Sequence, residues 1–138
     1  MAFETFEQDS KIGIRGTGKT LEQSFEEAAK AMFSIMVNVQ NVKPTQAIKL
    51  VIQIGGLDNS GLFIEWLNRL LGEYRATGLV FSKFKIQTKD DKLIGTAWGE
   101  PLSPKKHEAE TEVRSATHQM LLVEKKKGKF IAQCLVEI

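Results

Sequence analysis

The chain has 138 residues, 42% of them hydrophobic and 26% charged, the composition of one soluble globular domain spanning 1–138. Lys and Arg number 19 against 17 Asp and Glu, a formal charge of only +2, which falls short of the dense basic face expected of a dedicated phosphate-backbone binder. Lone Cys134 excludes an intrachain disulfide and a C-x-x-C metal knuckle, no apolar run approaches the roughly 20 residues of a spanning helix, and Met1 opens onto AFETFEQDS without an apolar signal core, so the expectation is a cytoplasmic protein in a reducing compartment.

A first strand is expected at about 11–17, ending in a Gly-rich stretch. Thr20-Leu21-Glu22-Gln23 fits a capping box, and Leu21, Phe25, Ala28, Ala29, Met32 and Met36 recur at helical spacing opposite Glu22, Glu26, Glu27 and Lys30. The spacing predicts an amphipathic helix over 20–37. Past the breaker region 41–44, Ile48 to Ile54 is a β-branched run closed by Gly55-Gly56, which reads as a strand. Leu62, Phe63, Trp66, Leu67, Leu70, Leu71 and Tyr74 then form the wide stripe of a second helix, capped by Asp58 or Ser60.

Beyond Gly78 the period drops to two. Phe84 and Ile86 alternate with Lys83, Lys85 and Gln87, and the polar turn 89–92 leads into Leu93 to Trp98, a hairpin. Residues 101–110 have no period and read as a loop, whereas 112–123 is β-rich again. The basic turn 125–129 opens a last strand, Phe130 to Ile138. The order β-α-β-α-β-β-β-β implies an α+β single domain: a mixed β-sheet with two amphipathic helices packed on one face.

Residues 13–20, GIRGTGKT, match G-x-x-x-x-G-K-[ST] without a mismatch. In a phosphate-binding loop the backbone N–H groups cradle phosphates, Lys19 reaches the terminal phosphates and Thr20 holds magnesium. That reading makes the chain a small nucleotide-binding NTPase or phosphotransferase. Against it, the preceding Phe6 to Lys11 is charged and polar where a buried parallel strand is required, and Asp58 looks like a helix cap rather than a magnesium ligand. The alternative is a structural strand–turn–helix junction, with Ile12 and Ile14 inward and Lys19 in solvent.

The stretch from Ile12 to Phe33, IGIRGTGKTLEQSFEEAAKAMF, resembles the archease family, with its Ile-Gly strand, Gly turn and Leu-Glu-Glu-x-Phe helix ending in Ala-Met-Phe. Leu93 to Glu100 is similar to the family's L-x-G-x-A-x-G-E strand, Lys106-His107 to its loop K-H, Thr111 to Thr117 to its E-V-K-A-x-T strand, and Leu135 to Ile138 to its acidic ending. The resemblance covers essentially the whole chain. It implies an accessory protein rather than an enzyme, one that activates a GTP-dependent RNA ligase of tRNA splicing or RNA repair by promoting its guanylylation and turnover. A chaperone-like role toward RNA-modifying enzymes is a second implication. The ligase protein would be the partner and RNA an indirect one, with no DNA and no membrane.

The resemblance also implies a divalent metal such as calcium. The family's D-H-T-A-D becomes Glu7-Gln8-Asp9-Ser10-Lys11, so Lys11 stands where the family has a metal-binding Asp. Glu137 replaces the terminal Asp, and His118-Gln119 replace Tyr-His. The metal candidates are then Glu137, Ile138 with its terminal carboxylate, and Asp9 as a displaced ligand on the same side of an extended chain. By charge, the Lys11 ammonium is expected to pair with Glu137 or the terminus and weaken any cation site. Lys106, His107, Glu112 and Arg114 are the expected partner contacts, with Glu100, Glu112 and Arg114 also able to form an exposed charged ladder. His118 reads as half-buried and Cys134 as inert; no motif positions a Ser or Cys nucleophile.

Overall fold

The structure, a computed structural model, describes residues 2–138. Two strands come first, β1 (Ala2–Gln8) and β2 (Lys11–Gly18), then helix α1 (Leu21–Met36) and a short 3-10 turn, Val39–Asn41. Strand β3 (Gln46–Gln53), helix α2 (Asn59–Thr77), β4 (Leu79–Lys89) and β5 (Lys92–Pro101) follow. The chain finishes with β6 (Ser115–Ala116), β7 (Leu122–Lys126) and β8 (Lys129–Glu137).

The α+β class and the sequential order of helices and strands agree with the sequence reading, but the sheet differs. There are two sheets, one ordered β1-β2-β8-β6 with β7 also on β8, the other ordered β3-β5-β4, and every ladder is antiparallel. The α2 crossover does make β3 and β4 run parallel to each other. Strand β5 inserts between them, so no parallel ladder forms and the expected mixed sheet does not arise.

Strand β1 forms from a segment whose charged and polar sequence does not announce a strand. It is an edge strand with only Phe6 half-buried, so it carries no apolar run to announce it. Its turn residues Asp9 and Ser10 both sit in the left-handed region, φ 50° and 67°, as a two-residue hairpin requires. The run 112–123 contracts to the two-residue β6 and the start of β7, because Val113 turns into the core and Met120 turns left-handed at φ 52°.

Thr20 caps α1 by accepting the Gln23 N–H at 3.1 Å. The Gln23 side chain reaches back to the N–H of Lys19 at 2.9 Å, one residue upstream of the capping-box target. Helix α1 packs against both sheets and is buried on more than one face, with Ser24 and Glu27 inside as well as the apolar stripe. On one side, the Ser24–Ala28 turn lies on Gly16 of β2. On another, Glu26 Oε2 accepts the Ile86 N–H of edge strand β4 at 2.8 Å, and burial raises its carboxyl above the usual range. Phe25 meets Phe63 of α2 at a ring separation of 5.1 Å, Phe33 meets Phe81 at 5.5 Å, and Trp66 Nε1 donates to the Phe25 carbonyl at 3.1 Å, closing the core around α1.

Candidate functional site

The loop after β5 is drawn onto Glu100. The Lys43 backbone N–H reaches Glu100 Oε2 at 2.8 Å, His107 Nε2 reaches it at 2.9 Å and Lys106 Nζ at 2.9 Å. These donors, the Lys43 amide foremost, hold the carboxyl well below its ordinary 4.5, at about 2. His107 Nδ1 accepts the Ser103 N–H at 2.9 Å, and the hydrogen-bond network therefore assigns the ring proton to Nε2, which donates to Glu100. The His107 carbonyl accepts the Asn38 N–H at 2.7 Å, while the Asn38 and Asn41 side chains bind Glu108 Oε2 at 2.7 and 3.2 Å. Every polar atom of the His107 ring is thus satisfied inside the fold.

His107 is fully buried, so it is a pin that folds the loop and not the exposed partner contact expected of it. Lys106 keeps part of its side chain in solvent while its ammonium is tied to Glu100. Glu112 and Arg114 are exposed. The charged ladder does not form: Glu100 belongs to the loop knot, and Arg114 contributes backbone, its N–H to the Glu137 carbonyl at 2.7 Å and its carbonyl to Arg75 at 3.0 Å.

At the far end of the first sheet a cleft of about 250 Å³ is lined by Lys11, Ile12, Thr117, Gln119, Glu137 and Ile138, among others. Register places Ile12 opposite Val136, and Lys11 and Glu137 are the next residues outward on β2 and β8. Lys11 Nζ nevertheless donates to Gln119 Oε1 at 2.9 Å, not to Glu137 as charge alone suggested. Lys11 and Gln119 are both departures from the family pattern. They are partners in space, and that pairing is the signal that links them.

Asp9 lies in the β1–β2 turn, outside the residues lining the cleft. The expectation that it shares a side with Lys11 assumed an extended chain, and the hairpin breaks that alternation. The donor set does not fit a divalent cation, which needs several oxygen ligands: the cleft holds an ammonium, and among the described residues no three His, Cys, Asp or Glu side chains come together to hold a metal. His118, expected half-buried, is exposed, whereas Cys134 is buried and its thiol is pushed up to about 12 by burial.

Residues 13–18 form no phosphate loop. They are strand β2, extended and hydrogen-bonded on both edges, to β1 and to β8, which commits the amides a phosphate would need. The glycines serve close packing. A Cβ on Gly16 would stand 2.2 Å from the Ala28 nitrogen and the Ser24 carbonyl oxygen, and one on Gly13 would stand 2.2 Å from the Phe6 ring. Ile14 is buried and Lys19 is exposed, as the structural alternative requires.

Comparison with known proteins matches residues 3–138 to the Archease protein family (MTH1598/TM1083). A protein archease of Sulfurisphaera tokodaii is 37% identical, with 99% of this chain and 98% of that protein covered. One from Pyrococcus furiosus is 38% identical over the same shares. The solution structure of Methanobacterium thermoautotrophicum protein 1598 superposes with a TM-score of 0.83 at 33% identity, covering 99% of both chains. A Thermotoga maritima structure described as an archease and possible chaperone gives a TM-score of 0.64 at 15% identity over 98% of this chain and 96% of that one, a likeness of fold.

Proposed function

The chain belongs to the archease family, and from that premise we propose that it is an accessory protein, not an enzyme, which activates a GTP-dependent RNA ligase of tRNA splicing or RNA repair by promoting its guanylylation and turnover. The single observation that carries this reading is the family match from residue 3 to 138, reinforced by matches near full length to two archeases at 37% and 38% identity. The geometry is compatible with a protein that acts by contact. Its one free thiol is buried, and its one fully buried His is committed to Glu100 and Ser103. Exposed polar groups remain on Arg114, Glu112 and Glu137, which line one end of the first sheet and the segment leading to it.

The metal implied by the resemblance is no part of this proposal, because Lys11 supplies positive charge at the cleft. The test is multiple-turnover ligation by the RNA ligase of the same organism, with and without the chain. An increase in turnover number is expected. Unchanged ligation, with the chain instead suppressing aggregation of unrelated client proteins, would replace ligase activation by a general chaperone role.

A further inference from the structure

The second sheet turns one face to the helices, where Leu50, Ile52, Phe84, Ile86 and Ala97 are buried. The opposite face carries five lysines: Lys49 on β3, Lys92 on β5, and Lys83, Lys85 and Lys89 on β4, all alternating with those core residues. Register brings them together. Lys89 stands directly opposite Lys92, and Lys49 and Lys85 flank Thr96 from either side. Along β4, Lys83 and Lys85 are two residues and so about 6.7 Å apart.

Ion pairing within the chain does not offset this segregation, although the Glu26 carboxylate at the edge of β4 attracts Lys85 without pairing with it. Arg15, Lys30 and Lys106 pair with Glu4, Glu27 and Glu100, but among the described residues none of the five sheet lysines takes part in an ion pair. The carboxylate in the outward register of β5, Glu100, is occupied by Lys106, His107 and the Lys43 amide. Glu22 and Glu26 of α1 reach only the edge of β4, where they accept from the Thr88 hydroxyl and the Ile86 N–H. Asp90 and Asp91 lie in the turn beyond the face. Like charges directly across a ladder are destabilising, so the face carries an electrostatic cost that a polyanion would relieve.

Among the lysines sits an aromatic ring. Trp98 is half-buried, and Lys83 Nζ stands over its ring at 4.9 Å from the centroid, so the ammonium caps this π-face and an incoming base stacks there by displacing Lys83 toward a phosphate. Thr96, Gln87 and Gln53 share the face and offer hydrogen bonds to hydroxyls and base edges. We propose that this face binds single-stranded RNA, with phosphodiesters on the lysines and an unstacked base on Trp98. A duplex keeps its bases away from such a ring, and hydroxyl-bonding side chains suit the ribose. The net charge of +2 hides the surface because the acids sit elsewhere in the fold.

The inference does not rest on the ligase reading, and its test contains no ligase. Anisotropy of a labelled oligouridylate titrated with the full chain should show binding that weakens with KCl, by about 0.7 in log–log slope per phosphate neutralised. Lys49→Gln/Lys85→Gln/Lys92→Gln should lower that slope by about 2 and the low-salt affinity at least about tenfold, with a thermal midpoint equal to or above the wild type's because the repulsion across the ladder is relieved. Trp98→Leu should weaken binding about five- to a hundredfold at constant slope. Lys125→Gln/Lys127→Gln, in and beside the β7–β8 turn, should change nothing. Wild-type affinity in the triple variant, or loss confined to the turn variant, would overturn the assignment to this face. Equal displacement by polyglutamate would make it a site for an acidic protein, and equal or tighter binding of the matching DNA oligomer would remove the assignment to RNA.

Discussion

Two polar clusters in this chain use similar residue types to opposite ends. Around Glu100, a carboxylate, an ammonium, an imidazole and a backbone amide converge within 2.8–3.0 Å, and the imidazole is fully buried. Around Lys11, one ammonium meets one amide at 2.9 Å and Glu137 stays exposed beside them. The first cluster has spent its hydrogen-bonding capacity on holding a loop. The second retains capacity for something outside the chain, which makes it the better candidate for contact with a partner. Residue type does not separate them; burial and the count of satisfied groups do.

The sharpest way to break this contrast is to delete each centre in turn. His107→Ala should cost about 2–4 kcal/mol, since it leaves a cavity and strips a partner from both Ser103 N–H and Glu100. Lys11→Ala, an exposed position with one hydrogen bond, should change stability by less than about 0.5 kcal/mol. Urea denaturation reads both, and comparable losses would erase the distinction.

A smaller effect is expected from acid. The Glu100 carboxyl is lowered from 4.5 to about 2 in the fold, so it stabilises the protein above pH 4.5 and that contribution fades as the pH falls from 4.5 toward 2. Glu100→Gln should flatten the pH dependence of the denaturation midpoint in that window. A profile as steep as the wild type there would assign acid sensitivity to another carboxylate.

The smallest effect on stability, and the most specific, concerns Lys11→Asp. It exchanges the ammonium of the cleft for a carboxylate facing Glu137, and calorimetry should then detect calcium or manganese with a dissociation constant on the order of 10⁻⁴–10⁻³ M, absent from the wild type. Saturable heat in the wild-type protein would show that Lys11 does not exclude the cation.

Much of the scaffold was legible before any coordinates. The periodicity of α1 and α2 and the Thr20 cap carry through directly, and Asp58, one of two cap candidates, accepts the Gly61 N–H at 2.7 Å. The β4–β5 hairpin was legible from its polar turn at 89–92. Strand β1 was not, because a surface edge strand buries too little to impose a pattern. The second sheet was not either, since β5 inserting between β3 and β4 is a long-range choice that no local window records. The lysine face follows from that same insertion: Lys83 and Lys85 alternate visibly, but Lys49 and Lys92 join them only through register. Site chemistry was the least legible. His107 in a Pro-flanked loop looks exposed until Glu100 and Ser103 close on both ring nitrogens, and Lys11 looks like a partner for Glu137 until Gln119 offers a neutral acceptor.

If the chain stimulates a ligase through the open cluster while the closed one only holds the fold, covalent guanylate on the ligase, followed over time, separates the two. The ligase would be mixed in turn with wild type, Glu137→Gln and His107→Ala, each at a matched concentration of folded chain. Wild type and His107→Ala should stimulate guanylylation, and Glu137→Gln should leave a rate near that of the unassisted ligase. Equal stimulation by all three, or none by the wild type, would contradict that division between the clusters.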